Sequence, residues 1–389
     1  MSSPAELLLR SAFARAVREF DVAGRVRLAL RGVDASRVLA IGKTAPAMLA
    51  GALREHQEAL LVVPDGISIG WSAPTTRIMI SDHPLPTARS VAAAEAALAF
   101  VARGDVVALV SGGASSLVAL PAQGIDLEKK RSIVDALLRA GVPVRDINVV
   151  RRHLSRVKGG QLGAACTGRM LTLIASDVLS GGPEDIGSGP TVPDPTTVAD
   201  ARALLSRVGL DAPVVETIKP SDPRAQRLEH RFVARPEDFV TKMREVLEAE
   251  GLTTFDLPPT EDDVESLAHA YAGLAASLVR GQALVRAAEP TVVVPVKHKQ
   301  GGRSSHLAAL AAPLLPEGVA LLCGATDGVD GSSGGAGAVV TRTSFDAGAA
   351  ASAARAFDTG KLHARAGTML ESTGPSGLNL CDIHVLVRL

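Results

Sequence analysis

Short apolar runs alternate along the first half of the chain with longer segments whose apolar residues recur every three or four positions. The runs RVLAIG (37–42), ALLVV (59–63), RIMI (77–80), DVVALV (105–110) and LTLIA (171–175) are aliphatic on both faces. That pattern predicts strands of a parallel sheet covered by helices on either side. Between them, 44–54, 88–102 and 127–139 read as helices, so the order is βαβ and the first half is a doubly wound α/β domain. Residues 198–230 are polar and punctuated by proline. The alternation then restarts with helices near 237–250 and 263–284, strand TVVVPV (291–296), helix 303–314, strand VALLC (319–323) and a last strand DIHVLVRL (382–389). Two α/β domains are therefore expected, over 1–230 and 231–389, with no internal repeat.

One stretch resists both periods. SDVLSGGPEDIGSGPTVPDPTT (176–197) is rich in proline, glycine and acidic residues, so it is neither a helix nor a central strand. It starts directly after the strand LTLIA and ends well before the break near 230. It therefore reads as a stiff loop at the carboxyl edge of the sheet, with Asp177 facing the site, and not as an interdomain linker.

Composition narrows the functional classes. Lys plus Arg and Asp plus Glu both number 41, so no global field favours nucleic acid or an anionic membrane, and aromatic residues are only 3%, too few for base-stacking platforms. Cys166, Cys323 and Cys381 are widely spaced and form no CxxC pair. Small buried apolar residues in a reducing cytoplasm are expected, not a disulfide framework or a zinc site. The N-terminal run MSSPAELLLRSAFARAVREF reads as an amphipathic helix, not a signal peptide. The uncharged stretch from Val106 to Ile125 is broken by Gly112, Gly113, Pro121 and Gln123, which suits a strand and turn better than a membrane span.

Candidate chemistry gathers at strand ends, where ligands of open α/β sheets bind. Gly42-Lys43 and the Gly112-Gly113-Ala114-Ser115-Ser116 loop each lie between a strand and a helix. Glycine lets backbone amides approach an anion, and a helix N-terminus favours negative charge. The alternative is an ordinary tight βα turn, since neither GxxxxGK[ST] nor GxGxxG is present. In NVVRRHLSRVKGGQLG (148–163), Arg152 and Lys158 are candidates for anion contact against a solvated-helix reading. VPVKHKQGGRSSHLAAL (294–310) repeats the cationic glycine turn, with Gly301, Gly302 and Arg303. His298 and His306 are spaced poorly for a metal. GATDGVDG (324–331) offers Asp327 and Asp330, as Mg²⁺ ligands or as helix caps. No nucleophile–base arrangement accompanies these loops, which favours phosphoryl transfer on a small anion.

At these residues the chain resembles the glycerate 2-kinases with a C-terminal MOFRL domain. The likeness runs through GKTAPAM, DHPLPTARSVAAAEAAL, SGGASSLVALPAQGI, NVVRRHLSRVKGGQLG, SDVLSGGPEDIGSGPTVPDPTT, GGR, ATDGVDG and STGPSGLN, in that order. The resemblance implies an N-terminal Rossmann-like domain, a smaller C-terminal α/β domain and an active site in the cleft between them. It implies ATP- and Mg²⁺-dependent phosphorylation of D-glycerate to 2-phosphoglycerate. Lys43 would contact the transferred phosphate or the substrate. Arg303 would neutralise charge on the γ-phosphoryl group, and Asp327 would bind Mg²⁺ or orient the substrate hydroxyl. Asp177, a second candidate metal ligand, and the 112–116 loop would line the site, with Arg152 or Lys158 on the glycerate carboxylate. After GGR the family continues Asn-Gln-Glu, whereas Ser304, Ser305 and His306 stand here, a change expected to bear on metal, donor or acceptor. Hydroxypyruvate reductase and a non-catalytic sugar-acid- or nucleotide-binding protein are the competing readings. Neither nucleic acid nor membrane is an expected partner, and a homodimer stays open.

Overall fold

The computed structural model describes residues 3–34, 36–54, 57–71, 75–372 and 374–389; Thr373, within the STGPSGLN run, lies outside them. The chain divides into two compact units. One is Val22–Ala234; the other joins the N-terminal segment up to Asp21 to Arg235–Leu389.

The N-terminal helix α1 (Pro4–Glu19) belongs to the second unit. The first unit then runs α2 (Val22–Ala29), β1 (Arg37–Ile41), α3 (Ala45–Ala52), β2 (Glu58–Pro64), β3 (Thr76–Ser81), α4 (Ala88–Val101), β4 (Val106–Ser111), α5 (Ala114–Leu117), α6 (Leu127–Arg139), α7 (Val144–His153), α8 (Gln161–Ala164), β5 (Met170–Ala175), α9 (Val198–Arg207) and β6 (Leu228–Ala234). Its six strands form one sheet in the order β3-β2-β1-β4-β5-β6, every neighbouring pair parallel. β4 and β5 are buried at every position, because helices cover both faces. The edge strands β3 and β6 alternate or stay exposed over most of their length. That is why β6, whose LEHRFVA is half polar, is hidden inside a stretch that reads as polar connection.

The second unit continues with α10 (Pro236–Ala249), β7 (Thr253–Asp256), α11 (Val264–Ser277), β8 (Gln282–Ala288), α12 (Arg303–Ala311), β9 (Val319–Ala325), β10 (Gly337–Thr341), α13 (Ala347–Arg355), α14 (Thr359–Ala366) and β11 (Asp382–Arg388). Its sheet has the order β10-β9-β11-β8-β7, antiparallel except for the β7–β8 pair. Two expected elements differ. The helix expected over 263–284 stops at Ser277, and Gly281 with φ +84° turns the chain into β8. The run TVVVPV is not a strand: Thr291 makes one isolated bridge to Asp263, and Val293 and Val296 are 90% and 102% exposed. Pro290 and Pro295 lack the amide a ladder needs.

The expected division at 230 also differs, by four residues at the boundary and, more substantially, by helix α1. Leu9, Ala12, Phe13 and Ala16 of α1 are buried, and the helix packs on α10 and β9. Arg10 donates to the carbonyls of Gly367 and Met369, and the Phe20 ring lies 5.6 Å from that of Phe239. Residues adjacent in sequence are thus split between the two units by where α1 buries its apolar stripe.

Candidate active site

In the first unit the strand order reverses between β1 and β4, the topological switch point where such sheets bind ligands. Both glycine loops singled out in the sequence leave the sheet there. Gly42 has φ +130°, and a Cβ on it would stand 2.2 Å from the Ser111 Oγ, so no other residue fits without displacing β4. The Lys43 amide donates to the Gly112 carbonyl at 2.9 Å and the Thr44 amide to the Ser111 Oγ at 3.1 Å. The Lys43 and Thr44 amides therefore tie the two loops together and the Gly42 amide donates to the Val62 carbonyl at 3.2 Å, so the turn is no open anion cradle and its one cation is the Lys43 side chain. It passes over Gly113: a Cβ there would lie 3.3 Å from both the Lys43 Cγ and the His83 ring.

The 112–116 loop leads into a second cationic feature. Lys158 is 1% exposed and donates from Nζ to the carbonyls of Ser115 at 2.6 Å and Val118 at 3.3 Å. Burial, with Lys130 and Arg151 adding repulsion, holds its ammonium well below the ordinary lysine range. Gly113, Ser115, Ser116, His83, Lys130, Arg151 and Lys158 line one cavity of about 330 Å³. α7 ends at His153, before the KGG turn is reached, so the glycines do not terminate it; Gly159 and Gly160 both take positive φ in the turn that follows.

The 176–197 loop is knitted to this region. Gly159 and Gly160 amides donate to the carbonyls of Ser188 and Gly189 at 3.1 and 2.7 Å. The Ser115 and Ser188 hydroxyls are 3.0 Å apart. Arg152 sits beneath the loop, paired with Asp185 at 3.4 Å and Asp194 at 3.2 Å, with all three side chains 8% exposed or less. It also donates to the Glu184 carbonyl. Arg152 is thus the counter-ion that holds the loop's own carboxylates, and is unsuited to receive a substrate carboxylate, as the sequence had allowed. Asp177 is half-buried directly beyond β5.

In the second unit the GGR turn opens α12, but its N-terminus is already filled from within. Asp330, 2% exposed, accepts the amides of Ser304 and Ser305 at 3.0 and 2.9 Å, while burial and neighbouring Asp382 raise its carboxyl pKa. A Cβ on Gly302 would overlap the Asp330 carboxylate at 2.1 Å. The Gly301 and Gly302 amides donate to the hydroxyls of Ser332 and Ser305. These glycines serve close packing of the acidic loop and are not the phosphate cradle expected of them. Arg303 is gripped by Asp382 through Nε and Nη2 at 2.8 and 3.2 Å and by Glu289 through Nη1 at 3.0 Å. These carboxylates keep it fully protonated despite its burial. Asp327, half-buried, accepts the Val329 amide at 2.9 Å. It lines a cavity of about 410 Å³ with His298, Arg303, Asp330, Phe357 and Asp382.

The Ser304-Ser305-His306 departure faces the interior. Ser304 donates to Asp382 at 2.9 Å, Ser305 to the Gly302 carbonyl at 3.1 Å, and the His306 ring stacks at 5.4 Å on Phe357. Burial lowers the His306 pKa, so it packs as a neutral ring. The three cysteines are buried as expected. Among the described residues no cluster of three His, Cys, Asp or Glu forms a metal site, and no helix is long and apolar enough to cross a membrane.

Sequence reading missed His83, Lys130 and Arg151. A signal for Lys130 existed: it occupies the buried stripe of α6 together with Ile133 and Leu137, where an apolar residue is the rule.

A doubly wound parallel sheet with glycine loops at its switch point, joined to a smaller mixed-sheet unit built around buried carboxylates and one clamped arginine, defines a two-domain α/β protein for small anionic ligands. Residues 5–220 match the family model described as Domain of unknown function (DUF4147), and residues 282–382 match that of the MOFRL family. A glycerate 2-kinase of Pyrococcus horikoshii is 31% identical over 84% of this chain and 78% of its own. A protein of Agrobacterium vitis that carries hydroxypyruvate reductase as a provisional name is 35% identical over 82% and 79%. The crystal structure of a glycerate kinase from Thermotoga maritima superposes with a TM-score of 0.85 at 25% identity, covering 99% of both chains. The chain belongs to the MOFRL-containing glycerate 2-kinase family.

Proposed function

We propose that the protein transfers the γ-phosphoryl group of ATP to the 2-hydroxyl of D-glycerate, giving 2-phosphoglycerate. The observation that carries the reading is the meeting of Lys43 with the 112–116 loop at the switch point in a member of this family. Phosphoryl transfer asks little covalent chemistry of a protein and much positioning and charge neutralisation. Lys43 contacts the transferred phosphoryl group or the substrate. Arg303 offsets charge on the γ-phosphoryl group; its clamp by Asp382 and Glu289 holds the guanidinium plane in one orientation, which lowers the reorganisation needed in the transition state.

Asp327 suits a Mg²⁺-assisted reaction. Asp327 is a half-buried carboxylate in a glycine loop that lines the same cavity as Arg303, and Mg²⁺ prefers one or two carboxylates with phosphates and water. When bound, the ion would shield phosphate charge. Asp327 holds it or, alternatively, orients the acceptor hydroxyl. We place the enzyme in the cytoplasm, acting on small molecules, and a homodimer is compatible with this reading.

The test is incubation with D-glycerate, ATP and Mg²⁺ followed by separation of phosphoglycerate isomers. 2-Phosphoglycerate is expected; formation of 3-phosphoglycerate alone overturns the regiochemistry. The reductase name in the family motivates one control. NADH oxidation with hydroxypyruvate, without glycerate turnover, would replace the kinase reading, although no GxGxxG follows β1 as a dinucleotide site requires.

A further inference from the structure

We propose that the cavity lined by Lys130, Arg151 and Lys158 seats the carboxylate of the three-carbon substrate, with Lys130 as its principal counter-ion. The inference rests on the glycerate reading and deepens it.

Three cations from separate segments converge on one cavity of about 330 Å³: Lys130 from α6, Arg151 from α7 and Lys158 from the turn after it. Among the described residues none of the three is paired with a carboxylate within salt-bridge distance. The one acidic residue in the lining, Asp135, is tied to Arg139 at 2.8 Å. Arg151 donates to the Asn148 side chain, and Lys158 to two carbonyls. Lys130 is 5% exposed and its Nζ has no hydrogen-bond partner. A buried ammonium without a partner is costly, and an apolar residue at that stripe position would pack without the cost. An anion in the cavity supplies the missing partner.

The cavity also has what a small hydroxy acid needs beyond charge. Gly113, Ser115 and Ser116 lie on its wall, and Gly113 is the residue over which Lys43 passes. A carboxylate held by Lys130 thus stands in a cavity walled by the loop that the Lys43 side chain passes over.

The charged neighbours decide the pH behaviour. His83, Arg131, Asp135, Arg151 and Lys158 line the cavity with Lys130. Burial first, and Arg151 second, lower the Lys130 pKa to about 7. A bound anion favours the ammonium form, so binding at pH 8 takes up a proton, and affinity falls as pH rises through 7.

The experiment is titration calorimetry of the full-length protein at pH 8 in buffers of different ionisation enthalpy, using D-glycerate, glycerol and inorganic phosphate as separate ligands. D-glycerate should bind with proton uptake and glycerol should not bind. Lys130→Met should weaken D-glycerate at least ten-fold and reduce the uptake, leaving only what Lys158 contributes, while ATP affinity is unchanged. Since it removes a buried charge, its melting temperature should not fall; Arg151→Met gives a second, independent loss of glycerate affinity. Unchanged glycerate affinity in both variants overturns the inference and leaves the kinase reading standing if the wild type turns glycerate over. Phosphate bound tighter than glycerate, with the same dependence on Lys130, overturns the carboxylate assignment in favour of a phosphate seat. A wild type that neither binds nor phosphorylates glycerate overturns the kinase reading itself, and with it the assignment.

Discussion

Replacing Arg152 by methionine separates a structural from a substrate-binding role for the arginine run. The side chain is 3% exposed and faces Asp194 at 3.2 Å and Asp185 at 3.4 Å, themselves 0% and 8% exposed. Methionine keeps the volume of the stem but leaves two buried carboxylates without their cation. Removing one partner of a buried pair costs about 3–5 kcal/mol. Asp194 keeps the Thr196 amide and hydroxyl at 3.0 and 2.8 Å, and Asp185 keeps the Gly182 amide at 3.2 Å, so the lower end of about 3 kcal/mol is expected. With a urea slope of about 2–3 kcal/mol/M, the unfolding midpoint should drop by about 1–1.5 M. Trp71, the only tryptophan, is in the same unit and donates to the Pro46 carbonyl at 3.1 Å, so its fluorescence reports this unit directly. Adding Asp194→Asn should recover part of the loss, because the stranded charge goes. An unchanged midpoint combined with a ten-fold rise in KM for D-glycerate would refute this reasoning and make Arg152 a substrate contact.

Other consequences follow from the same geometry. Lys43→Ala should lower kcat by about 10²–10³, the scale of losing one charge-stabilising group, with circular dichroism unchanged; wild-type turnover would remove Lys43 from the mechanism. It is a cleaner probe than Arg303, whose removal also strands the buried Asp382. Burial pushes His363 from the usual 6.5 to about 4 and His384 to about 3. Both stay neutral in the folded chain while the unfolded chain binds protons below 6.5. Their stabilisation is therefore present above pH 6.5 and lost as pH falls from there toward 4, by about 1.4 kcal/mol per pH unit for each. His363→Gln should flatten the fall of the urea midpoint between pH 6.5 and 4.5; an unaltered slope counts against it. Cys166, Cys323 and Cys381 are buried with raised thiol pKa values, so a thiol reagent at pH 8 should label none of them before unfolding. Rapid labelling in native buffer would contradict the packing.

The sequence alone was sufficient for the parallel core and for the loops that leave it. β1, β2, β4 and β5 are runs of aliphatic residues buried on both faces, a pattern legible without knowing their neighbours, and the glycines after β1 and β4 mark the switch point. Elements whose burial depends on distant partners were not legible. β6 is half polar because it closes the edge of a sheet, and β8 looked like the end of a helix because only β11 and β7 beside it make it a strand.

The site divides in the same way. That Lys43, Lys158, Arg303 and Asp327 stand in glycine-bearing turns was readable from residue type and position. Which charges are free to meet a ligand was decided by tertiary structure. Arg152 and Lys158 are six positions apart in one basic run, yet Arg152 is neutralised by Asp185 and Asp194 from the loop above it, whereas Lys158 opens on a cavity with Lys130 and Arg151. The amides at the start of α12 follow an inviting GGR turn, but Asp330 occupies two of them from 25 and 26 residues away. Local patterning sets where strands end and which side chains stand there, because backbone period and turn chemistry are properties of a few consecutive residues. Charge pairing and burial depend on groups brought together from distant parts of the chain, and the fold alone determines them.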